Sequence, residues 1–527
     1  MSTAPSERLT RRETLGLAIA ALLPVSAGPP SDIWPQGFGP DGNGRTKRKA
    51  PILWSVARND NVAWTVPLPE AGQGGLAVWE NLIFLTTMKP LESADAPKEG
   101  ADIVGHCLDA FSGKILWSVP LPGTEPSTYA YGFSDSTTPS PVTDGVHVWF
   151  FNASGSVGCY RLDGKKVWLR TWKPTGGRPF NKQFKPFLLG ETLITMEPRD
   201  ENDPKREKDP WNYLRGLDKH TGKTLWISED ALTHYNTPIP GKRKDGSWAI
   251  LHGRGGYHDV PESPVGMTLT SLAPGREGRA IRRFEATGKA LYNMHWDSKY
   301  AYWFDLDNAR HQVFDIETGN LLRTQSLSEK VDYRRYDPEA ETYVLESGID
   351  LSKRSPAYRV FPAWYTNLPV GGWHYFLCFT DAETKVGPPY CVGRVGIETG
   401  KVEYLELPVQ VIRNPGEPDR PVWNTPQTTE TKNRRGFDVA GDPRSRRDGW
   451  HWNFLPAPIA ADNKVYFTTM LGVTYVINGN AKTLDAGSLL SVNDLGPAGR
   501  TWSLTPFALA NNRLYTRTLQ EAIALGP

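Results

Sequence analysis

Cys107-Leu-Asp-Ala-Phe-Ser-Gly-Lys-Ile-Leu-Trp117 is the stretch that decides the fold, because the chain repeats it. It returns as Gly216-Leu-Asp-Lys-His-Thr-Gly-Lys-Thr-Leu-Trp226, Val313-Phe-Asp-Ile-Glu-Thr-Gly-Asn-Leu-Leu-Arg323 and Val395-Gly-Ile-Glu-Thr-Gly-Lys-Val-Glu-Tyr404, with a shortened copy at Tyr160-Arg-Leu-Asp-Gly-Lys-Lys-Val-Trp168. Each copy reads as strand, tight turn, strand. An apolar residue and Asp end one strand, Ser/Thr-Gly supplies the positive-φ position, and Lys-x-Leu-Trp opens the next strand. Recurrence of one hairpin signals a repeat architecture, in which each unit leans on its neighbours.

The copies extend in both directions into four strands. In the second unit Thr137 to Val142 and His147 to Phe151 precede Val157 to Arg161 and Lys165 to Thr171, which makes one antiparallel blade. Blades are expected to begin near Gly74, Thr137, Phe184, Asn236, Leu291, Ala363, Asn453 and Trp502. The last unit has three strands, and Asn61 to Pro69 has the pattern of the missing outer one. The expectation is therefore all-β: a single eight-bladed β-propeller of four-stranded antiparallel blades, spanning residues 61–527, its ring closed by N- and C-terminal strands. The composition agrees, with 50 Gly, 44 Pro, 19 Trp and 20 Tyr among 527 residues and no sustained helical period after the N-terminus.

A net charge of +2 gives no broad nucleic-acid footprint, so no nucleic-acid partner is expected. Residues 1–27 read as an export signal: Thr10-Arg-Arg-Glu-Thr-Leu-Gly16, an apolar run from Leu15 to Leu23 and the small-residue stop Val25-Ser-Ala27 resemble a twin-arginine leader. Thr14 stands where such leaders carry Phe or Leu, which leaves the general secretory route open. The run is too short to span a bilayer, and a periplasmic or secreted monomer is expected. Residues 28–60 form an N-terminal extension. Cys107, Cys159, Cys378 and Cys391 are too few for a disulfide scaffold; Cys378 and Cys391 fall on neighbouring strands of one hairpin and either pair or remain buried thiols.

Long insertions, among them 328–362 and 409–450, fall between strands two and three or between blades, and those connections emerge on one face. Inner strands start on that face with polar and aromatic residues: Asp135, His234, Asn236, His295, Asp297, Trp364, Asn367, His451, Asn453 and Trp502. Symmetry alone makes them converge on a channel mouth. His252-Gly-Arg-Gly-Gly-Tyr-His258-Asp259, with Glu262, reads as a loop of blade four that brings backbone close to something. His252, His258, His295 and His451 are candidates for a general base or a divalent metal site, and Arg254 for pairing an acidic group. The other reading of these histidines is hydrogen bonding between loops. Trp117, Trp168 and Trp226 recur within the repeat and are read as packing between blades. Trp364, Trp450, Trp452 and Trp502 suit either sugar faces or a plug for the channel. The basic stretch from Lys432 to Arg447 is either a flap or a solvated loop.

The repeated phrase resembles the PQQ-like (quinoprotein-type) β-propeller repeat, and Trp34-Pro-Gln-Gly-Phe-Gly-Pro-Asp-Gly-Asn-Gly44 is similar to the lead-in of exported propellers of that superfamily. The resemblance runs from Trp34 to Leu525 and implies the fold. The superfamily includes quinone-dependent alcohol dehydrogenases, assembly factors of the outer membrane and many secreted proteins of unassigned role. The dehydrogenases clamp their quinone with a disulfide of adjacent cysteines and hold a calcium; no two cysteines here are adjacent, and Cys-x-x-Cys-His is absent. The expected role is a ligand-binding or interaction module for carbohydrate or another polar ligand, with a protein partner also open. The alternative is a hydrolase or lyase acting on acidic sugars through the histidines.

Overall fold

The computed structural model describes residues 33–130, 135–174, 185–207, 211–257, 263–289, 291–292, 294–353, 361–379, 390–414, 416–423, 428–446 and 456–527. Eight antiparallel sheets follow one another along the chain, and the expected propeller is what they form. Blade one is Ala77–Trp79, Leu82–Met88, Ile103–Asp109 and Ile115–Leu121, and blade two is Val142–Thr143, His147–Asn152, Ser156–Arg161 and Lys166–Thr171. Blade three runs Phe187–Leu189, Thr192–Pro198, Asn212–Asp218 and Thr224–Ala231; blade four Ile239–Lys242, Trp248–Arg254, Gly266–Ser271 and Ala280–Glu285. Blade five is His295–Trp296, Tyr300–Asp305, Arg310–Asp315 and Leu321–Ser326; blade six Phe361–Val370, Trp373–Phe379, Cys391–Gly396 and Val402–Glu406. Blade seven is Ile459–Ala461, Lys464–Thr468, Val473–Asn478 and Leu489–Asp494. Blade eight takes Ala508–Ala510, Arg513–Arg517 and Glu521–Leu525 from the C-terminus and Val62–Pro67 as its outer strand.

The repeated phrase forms because its determinants are local. The carboxylate of Asp109 accepts the N–H of Ser112 (2.8 Å) and its hydroxyl (2.6 Å); Asp218 does the same with Thr221, and Asp315 with Thr318. The glycines that follow sit at φ +71° (Gly113), +69° (Gly222) and +80° (Gly319), where an L-residue is strained. The outer-strand tryptophan then docks on the next blade's turn. Trp117 Nε1 donates to Leu162 O at 2.9 Å, Trp168 to Lys219 O at 3.0 Å and Trp64 to Ala110 O at 3.1 Å, so Trp64 of blade eight locks onto blade one and closes the ring. Arg323 replaces the tryptophan in blade five, donating to Ile397 O at 2.6 Å and Glu398 O at 2.8 Å of blade six.

Both ends of the channel are occupied. Residues 33–48 form a strap across the short-turn end: Ile33–Trp34 pairs with Ala77–Trp79, Thr143 N donates to Pro35 O (2.9 Å), Leu188 N to Gln36 Oε1 (2.9 Å), and Arg45–Thr46 runs parallel to Ala460–Ala461. Glycine permits this approach, since a Cβ on Gly42 would lie 2.5 Å from Pro240 and one on Gly37 2.6 Å from Ser140 Oγ. At the opposite end, residues 428–446 cross the built-up face. Thr429 bonds Thr501 O (2.6 Å), Asn433 Nδ2 donates to both carboxylate oxygens of buried Glu70 (2.9 and 3.0 Å), and Ser445 Oγ donates to Ala130 O (2.6 Å). Insertion 328–362 contributes a hairpin, Val331–Asp337 and Thr342–Ile349, that extends blade six outward, its first strand parallel to Val402–Glu406.

Candidate functional site

The built-up mouth is filled rather than open where it is described. Tyr235, Tyr292, Tyr365, Val439, Met470 and Trp502 belong to one apolar cluster with Ala71 and Tyr129. Tyr365 donates to Tyr235 O at 2.8 Å, and Trp502, 1% exposed, donates its indole N–H to Ser445 O at 3.0 Å. Trp502 is thus part of the plug. The basic stretch is anchored as well: Lys432 pairs with Glu430 (3.1 Å) and Arg435 with Glu70 (3.5 Å).

The residues singled out from sequence are dispersed. His252 and Arg254 lie on strand Trp248–Arg254, not in a loop. His252 donates Nδ1–H to Gly253 O (3.1 Å) and accepts at Nε2 from Thr270 Oγ1 (2.9 Å), while burial drives its pKa down to about 4. Arg254 pairs with Asp230 at 3.2 Å and donates to Ser263 O and Pro264 O, which ties the end of blade three to blade four's own loop. Asn236 staples blade four to blade five, donating to Leu291 O and Tyr292 O (3.0 Å each) and accepting from Gly253 N (3.2 Å). His234 packs its buried ring 5.4 Å from that of Trp211. Asp297 is not at the mouth: the inner strand of blade five is only His295–Trp296, so Asp297 opens the turn at the strap end. Trp364 lies on inner strand Phe361–Val370. His258, Asp259, Glu262, Trp450, His451, Trp452 and Asn453 fall outside the described residues. Among the described residues no group of three or more His, Cys, Asp or Glu is placed to hold a metal ion.

One pair does come together, and it belongs to a cluster that the sequence did not reveal. His295 Nε2 donates to Asn367 O (3.1 Å), His374 Nε2 donates to Asn367 Oδ1 (2.9 Å), and His311 Nε2 donates to His374 Nδ1 (3.1 Å). The chain of three buried imidazoles lies between blades five and six under Phe304, whose ring is 4.3 Å from that of His374. Burial takes His295 and His311 down to about 3, with Arg45 adding to the effect on His295 and Arg323 on His311; His374 is also held well below its ordinary value. Neutral imidazoles of this kind are poor general bases at neutral pH.

Beside that cluster a groove of about 760 Å³ opens on the strap face, between residues 41–47 and blades five to seven. Its volume suits a small molecule. Asp297 shapes the floor, its Oδ1 accepting the N–H groups of Lys299 (2.7 Å) and Tyr300 (3.0 Å) and its Oδ2 the buried Tyr302 hydroxyl (3.4 Å). Tyr300 donates to Glu398 Oε2 at 3.2 Å. Asp41 completes the acidic side. Arg45, Lys47 and Lys299 line the same groove, and among the described residues none of the three forms an ion pair; Arg45 donates to Pro369 O at 3.4 Å and hydrogen-bonds the Tyr302 hydroxyl.

In fold the chain is similar to solved quinohemoprotein structures. A quinohemoprotein alcohol dehydrogenase from Pseudomonas putida HK5 superposes with a TM-score of 0.51 at 11% identity, covering 94% of this chain and 80% of that one. The quinohemoprotein alcohol dehydrogenase from Comamonas testosteroni gives 0.51 and 11%, covering 94% and 81%. The fold is the PQQ-like β-propeller. No family model and no curated protein sequence matches this propeller. At such identity the likeness extends to the fold alone. Among its described residues no helix is long and apolar enough to cross a membrane.

Proposed function

We propose that this PQQ-like propeller is an exported binding module for a polar, sugar-type ligand that carries an acidic group, seated in the strap-face groove. The observation that carries the reading is the set of cations with no ion pair among the described residues, Arg45, Lys47 and Lys299, lining one small-molecule-sized space together with Tyr300, Asp297 and Glu398. A guanidinium and two ammonium groups suit a carboxylate, and the tyrosine and carboxylate groups suit hydroxyl groups. Binding is favoured over hydrolysis or lysis because His252, His295, His311 and His374 are buried, held neutral by that burial and engaged in hydrogen bonds within the fold.

The quinone named for the structural neighbours finds no matching residues in what is described. The four cysteines are buried and no two are adjacent in sequence, no described carboxylate group is arranged for a metal, and the tyrosines with Trp502 fill the described part of the mouth.

The test is calorimetric titration of the leaderless protein with glucuronate- and galacturonate-containing oligosaccharides and their neutral counterparts. Acidic sugars should bind at least tenfold more tightly than neutral ones, and Arg45→Ala/Lys47→Ala should remove that preference. Equal binding of acidic sugars by the double variant, or no binding by the wild type, overturns the proposal.

A further inference from the structure

We propose that Cys378 and Cys391 form a cross-strand disulfide at the base of the connection between strands two and three of blade six. The register of Trp373–Phe379 against Cys391–Gly396 runs Trp373 opposite Gly396, Phe376 opposite Gly393 and Leu377 opposite Val392, so the next step sets Cys378 opposite Cys391. Facing residues of an antiparallel pair have Cα atoms about 4.5–5.5 Å apart, inside the ~4.4–6.8 Å that a disulfide spans. Their side chains leave the same face of the sheet: both are in the apolar cluster of Phe376, Val395, Tyr404 and Tyr333 between blades five and six. The Cys391 thiol is hydrogen-bonded to Cys378.

The other two cysteines have no such neighbour. Cys107 faces Phe84 and Trp117 in blade one, and Cys159 faces Trp149 and Trp168 in blade two. Burial holds both thiols at about 12, which keeps them unreactive. Cys391 is 0% exposed and its thiol is likewise raised, so the bond forms while blade six assembles and not after its core has closed.

The oxidant is a disulfide such as glutathione disulfide. One cysteine thiolate attacks it and releases one glutathione thiolate; the other cysteine thiolate then attacks the mixed disulfide and releases the second. The protein loses two protons and two electrons, and one glutathione disulfide becomes two thiols. The bond links residues 378 and 391 covalently and so restricts the unfolded chain.

Full-length protein is unfolded with reductant, refolded in reduced and oxidised glutathione, alkylated with N-ethylmaleimide in denaturant and weighed intact. Two adducts are expected, on Cys107 and Cys159, rising to four after reduction, with a Cys378–Cys391 cross-linked peptide in the unreduced digest. The variant C107A/C159A keeps only the proposed pair and should take no adduct before reduction and two after it. Full alkylation of either protein without reduction, glutathione retained on Cys378 or Cys391, or a cross-link to Cys107 or Cys159 overturns the proposal.

Discussion

Replacing His311 with Gln should flatten the loss of stability on mild acidification, by an amount that the structure fixes. His311 is 0% exposed, its Nε2 serves His374, and its Nδ1 has no hydrogen-bond partner among the described residues. Its pKa falls from 6.5 to about 3, first through burial and then through the Arg323 guanidinium. The unfolded imidazole therefore takes up a proton that the folded one refuses. The stability involved is intact above the unfolded pKa and is lost as pH falls from about 6.5 toward 3. Between pH 7.5 and 5 one such imidazole costs about 2 kcal/mol. Carboxylates, which in the unfolded chain titrate near 4, contribute little in that interval. The assay is guanidinium unfolding of wild type and His311→Gln at pH 7.5 and at pH 5, comparing the difference between the two pH values and not the absolute stabilities. The variant loses the hydrogen bond to His374 at both pH values, so that term cancels. An equal pH-dependent loss in the two proteins would refute the assignment of His311 as a neutral buried imidazole.

Trp64→Ala removes the indole that docks blade eight on blade one, and should lower stability by on the order of 3 kcal/mol, read as a fall in the unfolding midpoint; an unchanged midpoint would remove Trp64 as the ring's closure. Gly222→Ala places a Cβ at φ +69° and 2.8 Å from the Trp168 ring, for a cost of about 1–3 kcal/mol, whereas Gly246→Ala, also at positive φ but with nothing within 4 Å, should show only the backbone part, about 1 kcal/mol, in the same melts. Arg394→Met leaves Glu403 buried with the half-exposed Lys401 as its ion-pair partner and the Leu484 N–H as a hydrogen-bond donor, and a loss of about 3–5 kcal/mol is expected by denaturant titration.

What could be read from sequence follows from how far apart the determinants lie. The turn of the repeat needs Asp109, Ser112 and Gly113 within five positions, so five copies suffice to expose it, and the three-stranded C-terminal unit points to Val62–Pro67 as its missing strand. The repeat spacing places Asp297 at the mouth, but the inner strand of blade five is two residues long, and the chain has already reached the strap face by residue 297. His311 and His374 left no trace. Their strands, Arg310–Asp315 and Trp373–Phe379, are buried on both faces between blades, and without a solvent face the two-residue alternation that would mark an inward polar side chain disappears.

The location of the proposed site follows from the strap. A propeller ring supplies an axial channel by symmetry, and the residues that the repeat pattern places there were the natural candidates. In this chain residues 33–48 run along the short-turn end, and the tyrosines with Trp502 fill the described part of the other. Space suited to a small molecule is left off the axis, where residues 41–47 stand against the turns of blades five and six and contribute Asp41, Arg45 and Lys47 to the groove. Those three side chains lie outside every repeat unit. Gly39, Gly42 and Gly44, at φ +75°, +66° and +72°, turn the strap so that it passes from blade four to blade seven and brings Arg45 beside Pro369. The cation set that carries the functional proposal is therefore created by the lead-in segment, while the eight blades supply the rigid wall against which it is presented.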